Sequence, residues 1–199
     1  MNTAHKLPIA CIIMASGLGN RFGENKLLYK IQDKPLLQYI LETTAKLPFA
    51  EQIVVTRHQE VVGLCDKLKV KAILHAEPYQ SDTVRIALEN LDEFSGYLFC
   101  TGDQPFISES TLQKLCEAFL EAPQFIHRTI YQNTPGNPVI FPAKFKEELK
   151  DLPQDCGGSY LTKKYPEQVR YIPVQDSLEL YDIDTKEDLE KLFLRQNNV

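Results

Sequence analysis

Thirteen residues hold the densest grouping of chemically useful side chains in this sequence: Met14-Ala15-Ser16-Gly17-Leu18-Gly19-Asn20-Arg21-Phe22-Gly23-Glu24-Asn25-Lys26. They follow the apolar run Ile9–Ile13, which reads as a buried parallel strand. A strand that empties into a loop of small residues with two cations suggests a phosphate cradle. Glycine lets the backbone bring its N–H groups close to an anion, and Arg21 and Lys26 neutralise what sits there. The best-known phosphate loops do not describe it. A Walker A loop ends in Gly-Lys-Ser/Thr, whereas Lys26 lies between Asn25 and Leu27, and the dinucleotide fingerprint fails because Phe22 stands where its third glycine belongs.

Carboxylates form the second group. Asp103 lies in Thr101-Gly102-Asp103-Gln104-Pro105-Phe106, directly after the apolar strand Gly96–Cys100. In open α/β sheets this is the carboxyl end at which ligands bind. Asp182 and Asp184 flank Ile183, and period-two alternation in an extended segment puts both acids on one face. A phosphate cradle beside two or three carboxylates suits Mg²⁺, or Mn²⁺ in its place, which takes hard oxygen ligands from protein and triphosphate together. The same residues also suit a structural role. Asp103 can cap its own turn, and Asp184 or Thr185 can cap a final helix with Asp188 completing the box.

Three further clusters are polar. Ser81-Asp82-Thr83-Val84-Arg85 opens a helix whose first N–H groups can hold a phosphate or a base edge. Pro135-Gly136-Asn137-Pro138 and Asp155-Cys156-Gly157-Gly158 are turn sequences, placed to shape a second substrate's pocket. The four histidines (His5, His58, His75, His127) have no partners at zinc spacing and are expected on the surface or in loops. No two of the five cysteines pair as Cys-x-x-Cys, and Cys100 and Cys156 have no adjacent base, which fits buried or incidental thiols in a reducing cytoplasm.

These groups need a scaffold, and the apolar pattern supplies one. Strands are expected at Ile9–Ile13, Ile53–Val55, Val70–Leu74 and Gly96–Cys100. Helices are expected from Pro35 to Leu41, from Thr83 to Leu91 and over 108–120, the last capped by Ser108 or Ser110. The second half reads as extended at Phe125–Gln132, Pro138–Phe141, Val169–Val174 and Leu178–Ile183. Helices are expected there at 144–150 and 158–164, and a last one from about Lys186 to Arg195. This βαβα rhythm implies a three-layer α/β/α sandwich around a mostly parallel, mixed sheet. With no linker, repeat or composition break, one domain over 1–199 is expected.

Composition narrows the partners. The chain has 199 residues, 43% hydrophobic and 25% charged, which suffices for one sizeable core. A net charge of −5 argues against broad nucleic-acid binding but leaves room for a mononucleotide held by a local cationic cluster. No apolar run approaches the ~20 residues of a membrane span, and the first residues lack a signal-peptide core. A cytoplasmic protein bound to neither membrane nor nucleic acid is expected.

In this order, the motifs resemble the molybdenum-cofactor nucleotidyltransferases, and within them the cytidylyltransferase branch. That family opens with Leu-Ala-Ala-Gly-x-Ser-x-Arg-Phe-Gly-x-x-Lys, matched here by Met14–Lys26, and continues with Lys34-Pro35-Leu36-Leu37. Gly102-Asp103-Gln104-Pro105-Phe106 resembles its metal-binding turn. Gly136-Asn137-Pro138 and Asp155-x-Gly157 resemble its acceptor-side segments, and Asp182-Ile183-Asp184-Thr185-Lys186-Glu187-Asp188-Leu189 its closing motif.

The resemblance covers residues 8–194 and implies the Rossmann-like fold of the nucleotide-diphospho-sugar transferases. It implies that Arg21, Lys26 and Asp103 are catalytic. Ala15, Ser16, Gly17, Arg21, Lys26, Ser81, Thr83 and Arg85 would hold the nucleotide, and Asp103 with Asp182 or Asp184 the metal. Gly136, Asn137, Asp155 and Gly157 would meet the acceptor. The implied reaction transfers a nucleoside monophosphate from CTP, with GTP as the rival, to a molybdopterin-type acceptor that serves a molybdoenzyme client. A sugar- or polyol-phosphate nucleotidyltransferase and a non-catalytic carrier of the pterin cofactor are the alternatives. Ser16 departs from the family's Ala or Gly, in a stretch that touches the base.

Overall fold

The computed structural model describes residues 6–17, 25–185 and 187–188. Its first strand, β1 (Leu7–Met14), organises the rest. Alternation along β1 sends Ile9, Cys11 and Ile13 into one apolar cluster and Ala10 and Ile12 into another on the opposite face. Helices therefore have to cover both faces. A two-rung hairpin, β2 (Lys30–Ile31) and β3 (Lys34–Pro35), leads into α1 (Leu36–Thr44). The chain continues through β4 (Phe49–Thr56), α2 (Gln59–Leu68), β5 (Lys71–Leu74), α3 (Gln80–Glu89), β6 (Gly96–Thr101) and α4 (Glu109–Glu121). The second half holds β7 (Ile126–Tyr131), β8 (Thr134–Pro142), α5 (Lys146–Lys150), α6 (Ser159–Lys164) and β9 (Val169–Pro173).

Seven strands form one sheet in the order β5-β4-β1-β6-β8-β7-β9, and only β8 runs against the others. Beyond β1 the chain first builds outward to β4 and β5, then returns to place β6 on the other side. Adjacent strands thus diverge at β1, the kind of crevice in which doubly wound sheets bind ligands. Leu37 and Ile40 of α1, Val61 and Cys65 of α2, and Leu112, Leu115 and Phe119 of α4 pack on one face. Val84 and Leu88 of α3, Leu149 of α5 and Leu161 of α6 pack on the other. Each fully buried Leu or Phe contributes on the order of 1.5–3 kcal/mol relative to exposure. The expected mostly parallel, three-layer α/β/α sheet is the observed one.

Some local expectations change. No element is expected over Gln59–Leu68, yet α2 forms there because Val61 and Cys65, one turn apart, both face the core. The expected Pro-Gly turn lies inside β8, and the chain reverses at Gln132-Asn133, where Gln132 has φ 51°. Leu178–Ile183 is not a strand. The Asp176 carboxylate accepts from Leu178 N at 2.9 Å and starts a 3-10 turn over Ser177–Leu180, a local bond that alternation cannot reveal. His127 is 2% exposed within β7 rather than on the surface. His5 and Arg21 lie outside the described residues, as does the expected final helix apart from Glu187 and Asp188.

Candidate active site

Lys26 links the two ends of the chain. Asn25 caps a short 3-10 turn over Lys26–Leu28 by accepting from Leu27 N at 3.2 Å, which directs the lysine inward. Its ammonium donates to Asp103 Oδ2 at 2.8 Å, to Asp184 Oδ1 at 3.0 Å and to the Ile183 carbonyl at 2.9 Å. Burial alone would depress the Lys26 pKa, but the charges and hydrogen bonds of Asp103 and then Asp184 outweigh it and raise the pKa above the usual lysine value. The Asp103 carbonyl in turn accepts from Ile183 N at 3.0 Å, so the segment carrying Asp182 and Asp184 is pinned against the end of β6.

Asp182 faces the same cluster. Its carboxyl is pushed up to about 6, first by the protein crowded around it and then by the charge on Asp103. The capping role foreseen for this segment falls to its neighbours. Thr185 Oγ1 accepts from Asp188 N at 3.1 Å and Asp188 Oδ2 accepts from Thr185 N at 2.9 Å, a reciprocal box that leaves the Asp184 carboxylate for Lys26.

A cavity of about 380 Å³ opens at the carboxyl ends of β1, β4 and β6. Ser16, Gly17, Thr83, Asp103 and Asp155 line it, together with Arg57, which the sequence reading does not single out. Arg57 donates from Nε and Nη2 to the Ser16 carbonyl at 3.0 and 2.8 Å, and from Nη1 to the Pro78 carbonyl at 2.8 Å. His58 Nε2 lies 2.9 Å from the Gly17 carbonyl. The backbone of the β1 loop is thus clamped from β4. The available signal for Arg57 is its position one residue beyond β4, at the same rim as Asp103.

His75 also belongs here rather than to a loop of no consequence. Its Nε2 lies 2.9 Å from Ser16 Oγ and 3.3 Å from Thr83 Oγ1. Burial, followed by the charge of Arg57, lowers its pKa, so the ring is neutral near pH 7. Ala15 is buried, with its N–H donating to Val55 O and its carbonyl accepting from Thr56 Oγ1, both at 2.8 Å. Ser81 is buried in the first turn of α3 and does not line the cavity. Arg85 points along α3 to Asp82 at 3.3 Å and Glu89 at 3.1 Å, and the structure does not bring it to the cavity.

A second cavity, about 180 Å³, adjoins the first and shares Met14, Gln80 and Thr101 with it. Asn137 and Gly157 line it, whereas Asp155 faces the first cavity. Gly136 lines neither. Its carbonyl accepts from Arg128 Nε at 2.8 Å, and a Cβ there would lie 2.9 Å from Leu180. At Gly157 a Cβ would fall 2.8 Å from the end of the Gln80 side chain, which would have to shift.

A mostly parallel α/β sheet whose strand ends carry two adjoining cavities, with Asp103 of the lysine–carboxylate cluster in the wall of the larger, suits a nucleotidyltransferase. The chain belongs to the MobA-like NTP transferase domain family, whose pattern matches residues 11–169. A probable molybdenum cofactor guanylyltransferase of Aquifex aeolicus (strain VF5) is 26% identical over 201 residues, covering 94% of this chain and 92% of that one. The crystal structure of the Mycobacterium tuberculosis Rv0371c homologue from Mycobacterium sp. strain JC1 superposes with a TM-score of 0.79 at 25% identity, covering 96% and 98% of the two chains. Rv0371c of Mycobacterium tuberculosis H37Rv in complex with manganese superposes with a TM-score of 0.74 at 21% identity, covering 92% and 97%. Among the described residues, no helix is long and apolar enough to cross a membrane.

Proposed function

We propose that this nucleotidyltransferase transfers a nucleoside monophosphate, CMP from CTP, to the phosphate of a molybdopterin-type acceptor and releases pyrophosphate. The observation that carries the reading is the Lys26–Asp103–Asp184 cluster, whose Asp103 lines the larger of two adjoining cavities.

Magnesium fits this donor set in one particular way. Among the described residues, no three His, Cys, Asp or Glu side chains converge on one point, and Lys26 lies between Asp103 and Asp184. Mg²⁺ needs only one or two carboxylates when substrate phosphates and water complete its shell. Asp103 with Asp182 would supply such a pair; the Asp103 charge adds to burial in raising the Asp182 pKa, and a cation would relieve that part. Mg²⁺, or Mn²⁺ in its place, supplies charge neutralisation at the α-phosphate when bound.

The rest falls to the chain's own residues. An oxygen of the acceptor phosphate attacks the α-phosphorus and forms a new P–O–P bridge. The bond from the α-phosphorus to the β-bridging oxygen breaks, and pyrophosphate leaves with that electron pair. A phosphate dianion is already a nucleophile at neutral pH, so positioning and charge stabilisation carry the rate. Lys26 holds the acidic segment in place before the nucleotide arrives, and its ammonium and Arg21 then meet the leaving phosphates. Arg57 fixes the Ser16–Gly17 backbone against the base and ribose.

The choice of CTP rests on the resemblance of the sequence motifs to the cytidylyltransferase branch. Ser16 and Thr83 line the larger cavity and are both bonded to His75 behind them, so they are the side chains to vary in testing base preference. The similarity to a full-length guanylyltransferase favours GTP as the second reading. The deciding experiment incubates the protein with Mg²⁺, molybdopterin and each of the four triphosphates, and follows pyrophosphate release. Release with CTP is expected. Nucleotide binding without release would favour a carrier of the pterin, and release only with a sugar phosphate would remove the pterin from the reading.

A further inference from the structure

The smaller cavity is lined by a cation that no carboxylate among the described residues neutralises. Arg128, on β7, lines that cavity and is half-buried. Its guanidinium is held by two neutral acceptors, Gly136 O on Nε at 2.8 Å and Thr162 Oγ1 on Nη1 at 3.0 Å. Arginine has five N–H donors in a rigid fork, so three remain without an acceptor among the described residues. Among the described residues no carboxylate pairs with Arg128, and no Asp or Glu lines the cavity. Guanidinium stays charged at any physiological pH, and charges withdrawn from water are normally paired.

A second group at the same place lacks a partner. Thr101 Oγ1 is buried, has no hydrogen bond, and lies on the wall shared with the nucleotide cavity. The remaining wall is mixed: Phe99, Val139, Phe141 and Leu149 are apolar, and Gln80, Asn137 and Ser159 are neutral and polar. A fixed cationic fork and a free hydroxyl in a pocket of neutral polar and apolar groups call for a ligand with an oxyanion and a carbon skeleton. Phosphate matches the fork bidentately.

From this we infer that Arg128, with Thr101 beside it, is the receiving site for the phosphate monoester of the acceptor, the group that attacks the nucleotide. The inference rests on the reading of the protein as a transferase to a phosphate-bearing acceptor. It adds the residue that draws one anion towards another. Without a cation on the acceptor side, a phosphate dianion would approach a triphosphate against mutual repulsion. Arg128 acts on the acceptor alone, because it lines the cavity that Asp103 and Ser16 do not.

The test uses phenyl phosphate as probe and benzoate as its carboxylate counterpart, titrated into the whole protein by calorimetry. Wild type is expected to bind phenyl phosphate at least tenfold more tightly than Arg128→Gln does, and more tightly than it binds benzoate. CTP affinity should stay within twofold. In turnover, Arg128→Gln should raise the KM for molybdopterin tenfold or more and leave that for CTP unchanged. Arg128→Lys, which keeps the charge without the fork, should fall between the two.

Because Arg128→Gln also gives up two hydrogen bonds, the side-chain ¹⁵N resonance of Arg128 in wild type is followed as well, assigned through its loss in Arg128→Lys. It should shift on addition of phenyl phosphate. Unchanged phenyl phosphate affinity in Arg128→Gln, no shift of that resonance, or equal binding of benzoate would each overturn the assignment. A parallel loss of CTP affinity would overturn it too, since Arg128 would then belong to the triphosphate. If wild type binds phenyl phosphate through Arg128 yet transfers no nucleotide to molybdopterin, the pterin reading fails and this site stands.

Discussion

Replacing Lys26 with Met removes one ammonium and leaves three acceptors, Asp103 Oδ2, Asp184 Oδ1 and Ile183 O, without their donor. The side chains of Lys26 and Asp103 are only 11% and 21% exposed, so their pair lies between a buried ion pair and a surface one; Asp184, at 54%, is largely screened. Breaking a buried pair costs about 3–5 kcal/mol and an exposed one less than about 1, which places this loss near 2 kcal/mol. In a chain of this size that is a fall in Tm of about 4–8 °C. The kinetic loss should be larger. A charge-stabilising donor of the transition state is worth on the order of 10²-fold or more, about 2.7 kcal/mol. Metal binding should move the other way. Lys26 competes for Asp103 and Asp184 in the free protein, so Lys26→Met should bind Mn²⁺ at least as tightly as wild type when no nucleotide is present. Pyrophosphate release gives the rate, scanning calorimetry the stability, and Mn²⁺ titration the affinity. Full turnover by Lys26→Met would refute its transition-state role, and weaker metal binding would refute the competition.

Asp103→Asn should cut turnover ~10²-fold or more while CTP still binds; a rate within a few-fold of wild type would remove Asp103 from the metal set. Acidification should destabilise the protein. Burial holds the His127 pKa below the ordinary histidine value, and Arg170 adds to this, so the unfolded chain takes up a proton that the folded one refuses. Stability should therefore decline as pH falls below about 6.5, where free histidine titrates, with His75 acting in the same direction. Urea unfolding at several pH values should show a shallower decline for His127→Phe, and an unchanged slope would assign the effect elsewhere. Gly96→Ala should cost about 1–3 kcal/mol by overpacking, since its Cβ would lie 2.5 Å from Phe119 Cζ. Adding Phe119→Leu should recover part of that loss, and no recovery would mean that Phe119 is not the obstacle.

The sheet was legible in the sequence because its inner strands are buried on both faces and read as unbroken apolar runs, as Ile9–Ile13 and Gly96–Cys100 do. Lys26, Asp103 and Asp184 were legible as well, since loops at strand ends carry their polar residues without apolar neighbours to mask them. Arg57 and Arg128 were not. Each is one cation in or beside a strand, and its meaning comes from a carbonyl or hydroxyl 34 to 41 residues away. His75 was hidden for the same reason, because Ser16 and Thr83 meet it only after β1, β5 and α3 assemble. The α2 helix escaped notice through its own composition, with Val61-Val62-Gly63 offering poor helix formers whose burial decides the outcome.

The one reversed strand has an evolutionary consequence. Because β8 alone runs backwards between β6 and β7, the chain up to Asp103 supplies most of the wall of the larger cavity, and residues 128–162 supply most of the smaller one. Within the sheet the seam between them is the β6–β8 ladder, with Gly96 opposite Pro142 and Phe99 opposite Val139, and α3 packs on α5 across it. With the smaller cavity taking the acceptor as proposed, mutations on one side of that seam should alter what is accepted while leaving donation intact. A chain built this way can change its acceptor by inheritance of a cassette, β7 through α6, and a chimera exchanging that cassette with a relative should carry the relative's acceptor preference with it.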